Sequence, residues 1–110
     1  MNPNSSSEPE KWIELIRVRS STAHLEAAMP ELEAQVAELE ATTEGAETYF
    51  LRHALYDGDL AVVVIWRRLR CEPRATREGL LVAERLQRLG SVDHAVWVPT
   101  EKHPQEITDE

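Results

Sequence analysis

The stretch Thr48–Arg67, TYFLRHALYDGDLAVVVIWR, decides the fold. Asp57-Gly58 separates two runs rich in Val, Leu, Ile, Tyr, Phe and Trp. A two-residue Asp-Gly loop supplies the positive φ angles of a type I′ turn, so the stretch is expected to be a β-hairpin. With the loop placed there, Tyr56 stands opposite Asp59, His53 opposite Val62 and Tyr49 opposite Trp66. Period-2 alternation then puts Tyr49, Leu51, His53, Leu55, Leu60, Val62, Val64 and Trp66 on one face. Phe50, Arg52, Ala54, Ala61, Val63 and Ile65 take the other. Both faces are mostly apolar, so both call for cover.

Working outward, Lys11–Arg19 (KWIELIRVR) alternates as a strand, with Trp12, Glu14, Ile16 and Val18 on one side and Ile13, Leu15 and Arg17 on the other. Ser20, Ser21 and Thr22 are candidate helix caps. Leu25, Met29, Leu32, Val36 and Leu39 then make one apolar stripe at helical spacing, opposite Glu26, Glu31, Glu33, Glu38 and Glu40. Pro30 predicts either a short helix followed by a longer one, or one kinked helix. Gly45 is a plausible stop. Beyond the hairpin, Arg68–Ala75 reads as a polar connection. Thr76–Leu89 reads as a second helix capped by Thr76, with Leu81, Ala83, Leu86 and Leu89 on its buried side and Gly90 as its stop. Gly79 near its start permits close approach to another backbone. Val92–Val98 reads as the last strand, ended by Pro99.

The order strand, helix, strand, strand, helix, strand predicts an α+β fold of the ferredoxin-like βαββαβ kind. Right-handed crossovers place both helices on one face of a four-stranded antiparallel sheet. The other face is then bare. Tyr49, Leu51, Val62, Val64 and Trp66 on a bare face would form a larger apolar patch than monomers expose. A homodimer packed sheet to sheet by two-fold symmetry would hide it.

Length and composition bound the rest. A chain of 110 residues allows one domain, expected over residues 11–99 between a disordered tail, 1–10, and a polar C-terminal tail, 100–110. The balance of 20 Asp and Glu against 12 Lys and Arg, net charge -8, argues against sequence-independent nucleic-acid binding and against anionic membranes. Cys71 is the single cysteine, so no internal disulfide and no paired-thiolate zinc site are expected. The 4 histidines lack H-x-H or H-x-x-x-H spacing, and no metal site is expected. No apolar run spans a bilayer and the start reads as no signal peptide, so a cytoplasmic protein is expected. Nucleotide-binding, zinc-protease and serine-hydrolase motifs do not occur.

With these elements placed, the chain resembles the dimeric α/β-barrel proteins of the antibiotic biosynthesis monooxygenase-like family. The resemblance is carried by IELIRVR (13–19), VVVIWRR (62–68), REGLLVAERL (77–86) and HAVWV (94–98), and covers about Trp12 to Pro99. It implies a barrel enclosing a pocket that Trp66 lines. Such relatives oxidise polycyclic phenols to quinones without metal or flavin, degrade haem, or have no assigned activity. The haem-degrading branch needs an asparagine on the first strand and a histidine on the second helix. Ile16 stands at the first position and Thr76–Leu89 has no histidine, which speaks against haem degradation.

The expected activity is that of a monooxygenase-like protein, without a bound cofactor, acting on a small apolar or aromatic substrate. His53 is the candidate base, since an imidazole titrates near neutrality. Tyr49 and Trp66 would sandwich a flat ligand, with Leu51 and Val64 as apolar walls on the same expected face. The alternative is a non-catalytic dimeric ligand-binding or interaction module, in which His53 is a half-exposed edge residue and Tyr49 and Trp66 merely pack across strands.

Overall fold

The computed structural model describes residues 10–69 and 71–100. The expected tails, 1–10 and 100–110, fall almost wholly outside them. In chain order the elements are β1 (Glu10–Arg19), α1 (Thr22–Thr42), β2 (Ala46–Arg52), β3 (Asp59–Arg68), α2 (Arg77–Gln87) and β4 (Ser91–Trp97). The sheet is four-stranded in the order β2-β3-β1-β4, with every neighbour antiparallel. This is the ferredoxin-like α+β fold.

Each helix starts where its cap chemistry dictates. The Ser21 hydroxyl accepts the N–H of His24, and the Thr76 hydroxyl accepts that of Gly79. Of the two readings left open at Pro30, the structure adopts one continuous helix with Pro30 inside it. Pro30 is exposed, so the hydrogen bond it cannot donate is given up on the wet side. Leu25, Leu32, Val36 and Leu39 are buried as the stripe demands, and Met29 packs against them. On α2 the buried side is Val82, Ala83 and Leu86; Leu81 is exposed, contrary to expectation. Adjacent leucine and valine differ by about 100° around a helix, and the cap fixes which one faces the sheet.

The hairpin departs from its expected register. Tyr49 pairs with Val63, Phe50 with Val62 and Arg52 with Leu60; Ala46, not Tyr49, lies opposite Trp66. Residues 53–58 form the connection in place of a tight Asp57-Gly58 turn. It is closed by Asp59 N–H to Tyr56 O (3.1 Å), and by His53 Nδ1, which accepts from the N–H of Leu55 (2.9 Å) and of Tyr56 (3.2 Å). The positive-φ glycine is Gly45 (φ 84°), not Gly58. Gly58 is required for another reason: a Cβ there would stand 2.3 Å from the carbonyl oxygen of Ser20, which it approaches from the end of β1.

The slip is odd-numbered, so it exchanges the faces of β2 relative to β3. Phe50 joins Leu60, Val62, Val64 and Trp66 under the helices, next to Trp12, Ile16 and Val18 of β1. The bare face therefore carries Tyr49 and Leu51, but not Val62, Val64 or Trp66. Its other members are Ala61, Val63 and Ile65 of β3, Ile13 and Leu15 of β1, and Ala95 and Trp97 of β4. Charged pairs rim this apolar field: Arg17 with Asp93 (3.7 Å) at one end and Arg67 with Glu47 (2.8 Å) at the other. Among the described residues, no helix is long and apolar enough to cross a membrane.

Candidate functional site

One row of the covered face contains a charge. On β1 the alternation Trp12, Glu14, Ile16, Val18 points under the helices, and Glu14 is fully buried there. Its carboxylate accepts four hydrogen bonds. Oε1 takes the Trp66 indole N–H (2.8 Å) and the Thr76 hydroxyl (2.6 Å); Oε2 takes the Thr76 backbone N–H (2.9 Å) and lies 2.8 Å from His94 Nε2. A buried carboxylate is tolerated only with such partners. Glu14 thereby ties β1 to β3, to β4 and to the cap of α2.

The Gly79 position is shaped by the same group. A Cβ on Gly79 would stand 2.3 Å from Glu14 Oε2 and 2.7 Å from its Cδ. The close approach foreseen at Gly79 is thus to a side chain. Because Glu14 is fixed by its four partners, it cannot swing aside. Gly79→Ala is expected to destabilise the protein by about 1–3 kcal/mol, the usual range for overpacking, although alanine is the better helix former. Urea unfolding measures it, and an unchanged or raised midpoint would contradict this packing.

Trp66 is fully buried between two neighbours. Trp12 stacks on it with ring centroids 6.0 Å apart, and the Arg68 guanidinium lies 4.4 Å over the Trp66 ring. Trp12 donates its own N–H to Arg74 O (3.1 Å). Outside Arg68 opens a cleft of about 610 Å³ lined by Glu44, Arg67, Arg68, Leu69 and Cys71. Among the described residues, no group of three or more His, Cys, Asp or Glu could hold a metal ion.

The residues named from sequence fall in three places. Trp66 and Val64 are in the covered core. Tyr49 and Leu51 are on the bare face, about half exposed. His53 is exposed in the connection 53–58, its ring packed against Tyr56 (centroids 4.7 Å apart). Tyr49 and Trp66 therefore do not face each other. The Tyr49 hydroxyl instead donates to Glu47. That bond raises the Tyr49 pKa, and together with Arg67 it lowers that of Glu47. His94 and Trp97 do lie on opposite faces, and His94 is the one that meets a carboxylate. Glu14 itself was missed. Its signal was a lone acid in an apolar alternation, combined with a capping threonine and a glycine at the start of a helix.

No protein-family model matches the chain, and no curated protein resembles it in sequence. Solved structures do resemble it in shape. SnoaB, a cofactor-independent oxygenase from Streptomyces nogalater, is 17% identical with a TM-score of 0.55, over 86% of this chain and 98% of that one. Rv0793 from Mycobacterium tuberculosis is 16% identical with a TM-score of 0.60, over 84% and 97%. A Caulobacter crescentus protein, provisionally named an antibiotic biosynthesis monooxygenase, is 11% identical with a TM-score of 0.61, over 91% and 100%. The chain thus has the fold of the antibiotic biosynthesis monooxygenase-like proteins, as the sequence resemblance implied. At these identities the likeness is one of fold.

Proposed function

We propose that the protein is a monooxygenase-like enzyme that pairs through its bare sheet face and acts on a phenolic aromatic substrate without a bound cofactor. The observation that carries this reading is the carboxylate–imidazole couple of Glu14 and His94, set beside the Trp66 indole. In such a couple the carboxylate fixes the orientation and tautomer of the ring and stabilises the imidazolium formed when it takes a proton. Removing the phenolic proton leaves an electron-rich phenolate able to react directly with dioxygen. Glu14 is then a positioning residue and His94 the base.

His53 is the competing base. Its Nδ1 is engaged as an acceptor by two backbone N–H groups, which leaves only Nε2 to offer, and that nitrogen must carry the proton in the neutral ring. A neutral His53 cannot accept a proton without breaking its own turn, and this favours His94. Tyr49 and Leu51 belong in this reading to the paired face, while Trp66 and Val64 back the substrate side. Oxygen uptake with a panel of hydroxylated polycyclic phenols tests it. Uptake is expected to fall at least 100-fold in His94→Ala, in line with loss of a general base, and less than threefold in His53→Ala. A loss in His53→Ala alone would return the role to His53, and equal losses would overturn the assignment to His94 alone. The filled layer around Trp12 and Trp66 favours the second reading, a non-catalytic dimeric module. Absence of uptake across the panel would support that reading.

A further inference from the structure

We propose that the connection 53–58 is a pH-sensitive latch, closed by a neutral His53 and opened when the imidazole takes up a proton and turns to the buried carboxylate of Asp59. The device is independent of the oxygenase reading. His53 Nδ1 accepts from two backbone N–H groups of the connection, Leu55 at 2.9 Å and Tyr56 at 3.2 Å. A neutral imidazole accepts at one nitrogen and donates at the other, whereas an imidazolium donates at both. Protonation therefore sets an N–H against two N–H groups, and both bonds must break. Imidazole is the side chain that changes charge between about pH 5 and 8, so the latch is shut toward the upper end of that range and opens as pH falls through it.

The second observation says where the released ring goes. Asp59 is 4% exposed, and its Oδ2 is buried without a hydrogen-bond partner among the described residues. Its Oδ1 meets Arg19 Nε at 3.5 Å, but that arginine side chain is 70% exposed and water screens the pair. A buried carboxylate oxygen with no donor is costly, so the closed form holds an acceptor that the open form can satisfy. The His53 N–H donates to the Asp59 carbonyl (3.3 Å), one residue past the Arg52–Leu60 pair of the β2–β3 ladder. Opposite residues in such a ladder share a face with Cβ atoms about 5 Å apart, within reach of a side-chain rotation. The groups facing the ring are Arg17 of β1, Arg52 of β2 and Asp59 of β3, which line one small cleft with it, and Tyr56, against which it packs. Arg17 is paired with Asp93 (3.7 Å) and Arg52 donates to Asp57 O (3.3 Å). Both cations oppose a charged ring, and Asp59 is the acid among the described residues of that cleft.

Nitrogen-15 NMR of the full chain, titrated from about pH 8 to about pH 5, tests it. At the upper end the His53 ring is expected to carry its proton on Nε2. As pH falls, the amide resonances of Leu55 and Tyr56 are expected to move with the His53 ring titration, and their hydrogen-exchange protection to fall at least tenfold. His53→Asn supplies a side-chain oxygen that accepts from the same N–H groups as an Asx turn and does not titrate in this range. Its connection is expected to stay protected at both ends of the titration. Asp59→Asn removes the charge that the imidazolium turns to and is expected to shift the opening to lower pH. A ring protonated on Nδ1 at the upper end, amides that ignore the His53 titration, a pH dependence that survives His53→Asn, or an opening unmoved in Asp59→Asn would each overturn the proposal. The wild-type ring spectrum alone decides the first two, whether or not the variants fold.

Discussion

Glu14→Ala is expected to cost about 3–5 kcal/mol of stability, the range found when one partner of a buried, hydrogen-bonded charge is removed. The substitution takes away one side chain and strands three others. The Trp66 indole N–H, the Thr76 hydroxyl and backbone N–H, and His94 Nε2 all converge on that carboxylate. Each buried donor left without an acceptor costs about 1–3 kcal/mol, and the losses share one relaxing neighbourhood, so they do not simply add. The Thr76 hydroxyl still caps Gly79, but the cap loses its anchor to β1. Glu14→Gln separates shape from chemistry. The amide fills the space, yet its NH₂ must meet at least one group that is itself a donor, so a smaller loss of about 1–3 kcal/mol is expected. Urea denaturation at fixed protein concentration reads both, and near-ultraviolet circular dichroism reports the Trp12–Trp66 pair. A total stability of about 5–15 kcal/mol is usual for such a domain, so Glu14→Ala should remove at least about a fifth of it. A loss under about 1 kcal/mol would mean that the network carries little of the fold.

How far the sequence disclosed this arrangement depended on how local each determinant is. The faces of β1, the stripe of α1 and the Thr76 cap are set by residues within a few positions of one another, and all three follow the pattern. The hairpin register is not local in that sense. Both faces of Thr48–Arg67 are apolar, so alternation accepted either register, and Asp57-Gly58 supplied a turn signal that settled it wrongly. What fixes the register is His53 closing a wider turn through Nδ1, and Gly58 pressed against Ser20. The first requires the rotamer of one imidazole and the second the end of a strand far earlier in the chain. Trp66 followed from the same error. It was singled out correctly as the unusual residue of β3 but assigned to the wrong pair, because its real neighbours, Trp12, Glu14 and Arg68, include two from another strand. Glu14 was visible as an acid out of place. Only the sheet order, which sets β1 between β3 and β4, brings Trp66 and His94 to either side of it.

The corrected register also fixes where association should fail. Tyr49, Val63, Leu15 and Ala95 lie in one row across the bare face, between the charged pairs at its ends. Leu15 stands on an inner strand of that row and is only partly shielded within the single chain. If two copies pair through this face, Leu15→Glu buries two new like charges in the interface, because an isologous interface repeats every substitution. Burying unpaired charge costs several kcal/mol, whereas the lone subunit leaves the new carboxylate in reach of water. The dissociation constant is therefore expected to rise by about 10³-fold or more, since every 1.4 kcal/mol is worth about tenfold. The wild type should sediment as a dimer at micromolar concentration and the variant as a folded monomer, with far-ultraviolet circular dichroism unchanged. A wild type that is already monomeric would remove the paired face from the proposed function. A variant that remains dimeric would place the contact elsewhere. Either result would leave the Glu14 network intact, because those residues lie on the opposite side of the sheet.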